Sequence, residues 1–237
     1  IRGEDPHAER REALAAVTPF LGLVRAPLYP SAPSPTGKEL VVATYNVHRW
    51  TGSASSRGPD AERASFVISE LGADVLALQE VVRPFSGEDP LVRLADQLRL
   101  HVAFVTPEMA AFVTTRIHRL GELGNAILSR WPISSASLLD LNFSRIERRT
   151  AVAAQLSTDA GPLSLVATHL AIVDRTRHRQ VRHLLDHPNL QGPVILLGDM
   201  NMWRTNDKAT KALEAELPTH SEIDWPASFP AARPVLA

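Results

Sequence analysis

The chain of 237 residues contains no cysteine, which removes disulfides, thiolate nucleophiles and thiolate-bound zinc together. Aromatic residues make up 5% of it, too few for the rows of stacking rings that grip single-stranded nucleic acid. Charge is balanced: 25 Lys and Arg stand against 26 Asp and Glu, for a formal net charge of −1. No global positive field therefore draws the chain onto DNA, RNA or an anionic membrane, and a polyanion has to be held by local groups. No apolar run approaches the roughly 20 residues that cross a bilayer as a helix. Also missing are G-x-S-x-G, G-x-x-x-x-G-K-[ST] and G-x-G-x-x-G; the pair Gly37-Lys38 lacks the preceding glycine of a phosphate loop. Serine hydrolases and the common nucleotide-binding folds are set aside on that ground. No secretory leader is legible, and the compartment stays open between cytoplasm and export.

With 44% apolar and 22% charged residues, the composition suits one large soluble domain, expected as a monomer. Residues 1–38 read as a separate segment: a helix in HAERREALAAVTPFLG, then a proline-dense strap, RAPLYPSAPSPTG. From 39 to 237 short apolar runs alternate with charged amphipathic segments, which is an α/β pattern. The strand candidates are ELVVATYN, ADVLALQE, LHVAFVT, NAILSR, TAVAAQLS, PLSLVATH and PVILLGD. The helix candidates are GPDAERASFVISELG, DPLVRLADQLR, DRTRHRQVRHLLD and NDKATKALEAEL. Asp60 and Asp207 stand where caps belong, with Gly72 and Pro218 where those two helices stop. Between Leu128 and His169 no helical period occurs, so at least three strands pair there as an antiparallel meander with DAGP as a turn. Mixed sheets, two packed face to face with helices outside, are the expected layout.

Four apolar runs end alike. VVATYN closes on Asn46, DVLALQE on Glu80, SLVATH on His169, and VILLGDMN on Asp199 and Asn201. Burying a carboxylate or an amide costs several kcal/mol unless it is paired or coordinated, and ligand crevices form at strand ends in α/β sheets. Asp199 and Asn201 share a side if strand geometry continues through Met200, since side chains repeat every two residues. Each residue alone has a bland explanation: Asn46 as a turn residue, Glu80 as the partner of an arginine, His169 as a satisfied half-buried imidazole. Taken together they supply hard oxygen ligands, one imidazole and no sulfur, which is the chemistry of Mg2+ or Mn2+.

The ordered blocks TYNVH, DVLALQEV, GNAILSRWPI, RRTAV, VATHL, LLGDMN and SFPAARP resemble the endonuclease/exonuclease/phosphatase superfamily, the DNase I-like proteins, over residues 40–237. The resemblance implies a four-layer sandwich that hydrolyses phosphate esters with Mg2+ or Mn2+. Carried over by resemblance, Glu80 is the principal metal ligand and Asn46 belongs to the same metal end. Asp199 orients the nucleophilic water or a metal, Asn201 holds a phosphate oxygen, and His169 contacts the phosphate and assists the leaving oxygen. Asn125 in GNAILS and Arg149 in RRTAV are the phosphate-binding candidates, Arg149 through a bidentate fork or else as a solvated strand-end charge.

The superfamily carries a terminal histidine base after a block like SFPAARPVLA, and the chain stops at Ala237; truncation is the expectation, with Asp224 supporting that base. The implied activity is that of a phosphodiesterase or endonuclease acting on a phosphate-ester substrate, nucleic acid included. The rivals are a lipid or inositol-phosphate phosphoesterase and a binding or scaffold protein on the same fold that has lost catalysis. The basic stretch DRTRHRQVRHLLDH, residues 174–187, reads as a solvated helix face, with a phosphate-facing rim as the functional alternative.

Overall fold

A computed structural model describes residues 20–30, 40–51, 60–114, 117–144, 148–190, 193–202 and 207–217. Its plan follows from alternation along one strand. In β3 (Val75–Pro84), Val75 and Ala77 join one apolar cluster while Leu76 and Leu78 join another, as expected of a strand buried on both faces. β3 lies in a five-stranded sheet. The order is β1 (Phe20–Arg25), β4 (His101–Thr114), β5 (Ile117–Ser129), β3 and β2 (Val42–Asn46). Only β2 and β3 run parallel in it. A four-stranded sheet follows the order β6 (Ile133–Asp140), β7 (Thr150–Thr158), β8 (Gly161–His169), β9 (Val194–Asp199), with β8 and β9 parallel.

Between the sheets, Val75, Ala77, Ala103 and Ile127 of the first pack on Val152, Leu156, Leu165 and Ala167 of the second. Each such aliphatic side chain removed from water contributes about 1–3 kcal/mol. The outer face of the first sheet is covered by α1 (Ala61–Glu70) and α2 (Pro90–Leu98) through Ile68, Leu91, Leu94 and Ala95. The outer face of the second is covered by α3 (Asp174–Leu185) and α4 (Lys208–Glu216) through Val181, Leu184 and Ala209. The result is a helix–sheet–sheet–helix sandwich of four layers. The helices begin where their caps dictate: Asp60 accepts from Arg63 N at 3.0 Å, Asp89 from Leu91 N at 3.0 Å, and Asp207 from Thr210 N at 3.2 Å.

Two stretches depart from the sequence expectation. FLGLVR, assigned to the N-terminal helix and strap, is the edge strand β1, paired antiparallel to β4 from Phe20↔Thr106 to Arg25↔Val102. Its alternation is short and broken by Gly22, so composition alone favoured the neighbouring helical pattern; the open edge of β4 decides the matter. Residues 1–38 are therefore not wholly outside the sandwich. The β4–β5 hairpin is also longer than LHVAFVT and NAILSR suggested, with its outer arms paired from Ala111↔Leu120 to Thr114↔Ile117. Of the helix expected over residues 7–22, the last three residues belong to β1 and the rest lie outside the described residues, as do the stop at Pro218 and the block containing Asp224.

Candidate active site

The site grows out of the inter-sheet core. Val42 packs into that core, and two steps of two along β2 lead to Thr44 and Asn46. Leu165 and Ala167 lead to His169 in β8, and Ile195 and Leu197 lead to Asp199 in β9. Each inward row thus turns from apolar to polar at the same end of the sandwich, because side chains two apart share a face. In the parallel pairs, Asn46 stands opposite Gln79 and His169 opposite Asp199.

Glu80 reaches this end by a different route. It does not end its strand: β3 continues to Pro84, and pairing with β5 shifts between Leu78 and Val81. Glu80 sits inside that bulge at φ +52°, a left-handed conformation that costs a non-glycine residue about 1 kcal/mol. A bulge of this kind re-aims one side chain out of the alternation. Its neighbour Gln79, buried, exchanges hydrogen bonds with Thr44: Thr44 Oγ1 donates to Oε1 at 3.2 Å and Nε2 donates to Oγ1 at 3.0 Å. That exchange pins β2 to β3 just before Asn46 and Glu80 diverge.

One amide ties the residues together. Asn46 Nδ2 donates to Glu80 Oε1 at 3.3 Å and to Asp199 Oδ2 at 3.1 Å, and its Oδ1 accepts from His48 N at 2.9 Å, which fixes the amide's orientation. His169 Nε2 lies 3.6 Å from Asp199 Oδ2. Burial, then the Arg149 charge, lowers the His169 pKa to about 4 against the opposing pull of Asp199 and Glu80, so the imidazole is neutral at neutral pH. Asn46, Glu80, His169 and Asp199 therefore line one hollow.

The remaining candidates surround it. β9 stops at Asp199, and Asn201 takes φ +50°, so the shared side expected from strand continuation is lost. Instead Asn201 N donates to Asp199 Oδ1 at 3.1 Å and its Nδ2 to Leu170 O at 2.8 Å; the Asp199 carboxylate, by accepting from the backbone two residues on, closes a turn that ends the strand. Asn125, buried, donates from Nδ2 to Thr150 O at 2.8 Å, joining the two sheets beside Arg149. Arg149 N donates to Asn142 Oδ1 at 2.8 Å, and its charge acts on His169.

Sequence reasoning passed over three contributors. His48, Arg49 and Trp50 all have positive φ, at +46°, +57° and +62°. This left-handed turn is held by Trp50, whose buried indole donates from Nε1 to Val82 O at 2.7 Å, and it brings Arg49 Nε to 3.8 Å from Glu80 Oε2. Strain of this type collects at functional sites. The second is the close approach at Gly198, a residue whose type suggests only a bend: at φ +149° a Cβ there would stand 2.0 Å from Thr168 O, one step before His169 and Asp199. The third is the inward side of α3. Arg177 is 3% exposed and Gln180 fully buried, so the basic stretch is a solvated face only in part. Its signal lay in spacing, since 177, 180, 181 and 184 share one helical side.

The donor set suits a hard cation. Two carboxylates, Glu80 and Asp199, approach a single amide nitrogen, with Arg49, 54% exposed, as a weak counter-charge to Glu80. Among the described residues no group of three or more His, Cys, Asp or Glu is placed to hold a metal ion. Two carboxylates without a thiolate would suit a hard divalent cation that keeps its waters and would not suit structural zinc.

Residues 43–234 match the Endonuclease/Exonuclease/phosphatase family. Among solved structures, an endonuclease/exonuclease/phosphatase from Beutenbergia cavernae DSM 12333 is 25% identical with a TM-score of 0.58, covering 69% of this chain and 48% of its own. The chain thus spans about half the length of that protein. D. rerio TDP2, complexed with a single-strand DNA product, is 16% identical with a TM-score of 0.54, covering 74% of this chain and 65% of its own. A mannosyl-6-phosphatase of Bacteroides thetaiotaomicron VPI-5482 is 18% identical with a TM-score of 0.55, covering 75% of this chain and 70% of its own. No curated protein matches the chain.

Proposed function

We propose that this chain, which belongs to the endonuclease/exonuclease/phosphatase family, hydrolyses phosphate esters with a divalent cation, Mg2+ or Mn2+, and acts on phosphodiesters, nucleic acid among them. The observation that carries the reading is the joining of Glu80 and Asp199 by Asn46 Nδ2, at 3.3 and 3.1 Å, with His169 Nε2 3.6 Å from the same Asp199 oxygen. Glu80 and Asp199 would hold the cation, and a bound divalent cation supplies charge for the phosphoryl oxygens and the developing alkoxide.

The chain's own residues orient the reacting groups. Asn46 keeps two mutually repelling carboxylates directed at one point. Asp199, accepting from Asn46 and from Asn201 N, presents an oriented carboxylate to the attacking water. His169, neutral with a pKa lowered to about 4, offers a ring N–H to a phosphoryl oxygen and adds no positive charge before substrate arrives. Arg149 and Asn201 meet the remaining oxygens, Arg149 with the planar fork that suits phosphate. Asn125 supports Arg149 through the Thr150 carbonyl.

The phosphodiester preference draws on the open character of the hollow, where Asp199 is 32% and Glu80 22% exposed, and on the TDP2 likeness. The test is a panel: bis-p-nitrophenyl phosphate, single-stranded DNA, a sphingolipid and an inositol phosphate, each with Mg2+ or Mn2+ and again with EDTA. Metal-dependent cleavage of the first two is expected. Turnover confined to monoesters contradicts the phosphodiester assignment, and turnover unchanged by EDTA contradicts the metal mechanism. The chain does not contain a described helix long and apolar enough to cross a membrane, so no part of the reading depends on one.

A further inference from the structure

Helix α3 carries a buried guanidinium and a buried amide one turn apart, and both spend their hydrogen bonds on loops that leave the site. Gln180 Nε2 donates to Leu141 O at 2.9 Å, and its Oε1 accepts from Ala171 N at 2.8 Å. Leu141 in turn donates from N to Arg149 O at 3.0 Å. One amide side chain therefore links the segment that presents Arg149 to the segment that follows His169.

Arg177 extends the link. Its Nη1 donates to Ala171 O at 3.2 Å and to Ile172 O at 2.7 Å. Its Nη2 donates to Asp207 Oδ2 at 2.5 Å and also to Asp174, while Nε reaches the same Asp207 oxygen at 3.2 Å. Asp207 caps α4 through Ala209 and Thr210. Asn201 itself donates to Leu170 O, the residue between His169 and Ala171. A charge this deeply buried is costly unless every donor is met, and here the donors are met mainly by the backbone of one loop and the cap of the next helix.

We propose that Gln180 and Arg177 are positioning residues: together they fix the spacing of Arg149, His169 and Asn201, the side of the site that meets the phosphoryl oxygens. The inference rests on the reading that those three residues do so. The cation side has supports of its own. Glu80 depends on the β3 bulge and Asn46, and Asp199, which also accepts from Asn201 N and Leu170 N, on β8–β9 pairing and Asn46; neither Gln180 nor Arg177 touches either carboxylate.

That separation supplies the test. Wild type, Gln180→Met, Gln180→Glu and Arg177→Lys are compared on bis-p-nitrophenyl phosphate with Mn2+, with kcat per folded molecule and the Mn2+ dissociation constant from the paramagnetic signal of the free ion. Gln180→Met is expected to lower kcat about tenfold or more, given the steep dependence of rate on placement, while Mn2+ affinity changes by less than about twofold. Gln180→Glu keeps the acceptor for Ala171 N but sets an oxygen against Leu141 O, so it is expected to lose kcat as well with Mn2+ affinity retained, and a kcat within about twofold of wild type overturns the inference. A kcat within about twofold of wild type, or a matching fall in Mn2+ affinity that marks general loosening, overturns the inference. If Gln180→Met does not fold, Arg177→Lys decides: it keeps a cation beside Asp174 and Asp207, cannot span both carbonyls, and is expected to lose kcat with Mn2+ affinity retained. Unchanged kcat in that variant overturns the inference. A wild-type protein without metal-dependent turnover removes the functional reading and this inference with it, whereas active wild type with unaffected variants removes this inference alone.

Discussion

Asn46 and Asp199 stand 153 residues apart and belong to different sheets, yet the amide of the first donates to the carboxylate of the second at 3.1 Å. The same amide nitrogen reaches Glu80. Removing it frees two carboxylates to swing apart. Asn46→Ala is therefore expected to weaken Mn2+ binding roughly tenfold, as losses of ligand-orienting groups do, with stability lowered by only about 1 kcal/mol because the hollow is partly wet. A calorimetric Mn2+ titration beside urea unfolding checks both; unaltered metal affinity contradicts the role.

Glu80 combines charge with a left-handed backbone, and two substitutions separate these. Glu80→Gln keeps the shape and removes the charge, so it is expected to raise the metal concentration for half-maximal turnover by tenfold or more, with stability within about 1 kcal/mol of wild type. Glu80→Val adds a β-branched side chain at φ +52° and is expected to lose about a further 1–2 kcal/mol in denaturant unfolding. Equal stabilities for the two variants contradict the strained bulge.

His169 makes stability depend on pH with a definite sign. Its folded pKa, about 4, lies below the unfolded value near 6.5, so between those limits the unfolded chain binds a proton that the folded chain does not. Stability is full above about pH 6.5 and declines as pH falls toward 4, by up to roughly 3 kcal/mol from this group. Unfolding measured at pH 7, 5.5 and 4.5 is expected to give a shallower decline for His169→Gln than for wild type. Identical declines contradict the buried neutral imidazole.

Gly198 leaves no room for a side chain. With a Cβ only 2.0 Å from Thr168 O and φ at +149°, Gly198→Ala must force β8 and β9 apart one step before His169 and Asp199. A loss of about 3 kcal/mol or more is expected in thermal unfolding, in the range of strained-backbone substitutions. A melting temperature like that of wild type contradicts the close approach.

Much of this organisation was legible before any coordinates. Apolar runs marked the strands, Asp60 and Asp207 marked helix starts, and polar residues closing apolar rows marked the end of the sandwich where Asn46, His169 and Asp199 meet, because a period of two carries the pattern of a row to its end. What escaped was set by other rules. Nothing in DVLALQEVV separates a strand that stops at Glu80 from one that bulges there. Asn201 fits the period until the Asp199 carboxylate accepts from its N and turns the backbone. FLGLVR needed the edge of β4, a partner about 80 residues away, to become a strand. Arg177 and Gln180 were hidden by composition, since a run of charges looks solvated unless its helical spacing is read together with Val181 and Leu184.

The central claim is that Glu80, His169 and Asp199 form one metal-assisted site for phosphoester hydrolysis, and its most direct measurement is turnover of bis-p-nitrophenyl phosphate by wild type, Glu80→Gln and His169→Ala across a Mn2+ titration. The account requires that wild-type turnover vanish with EDTA, that Glu80→Gln recover at high Mn2+, and that His169→Ala stay at least about 100-fold slower at every metal concentration. His169→Ala at wild-type turnover under saturating Mn2+ would contradict it.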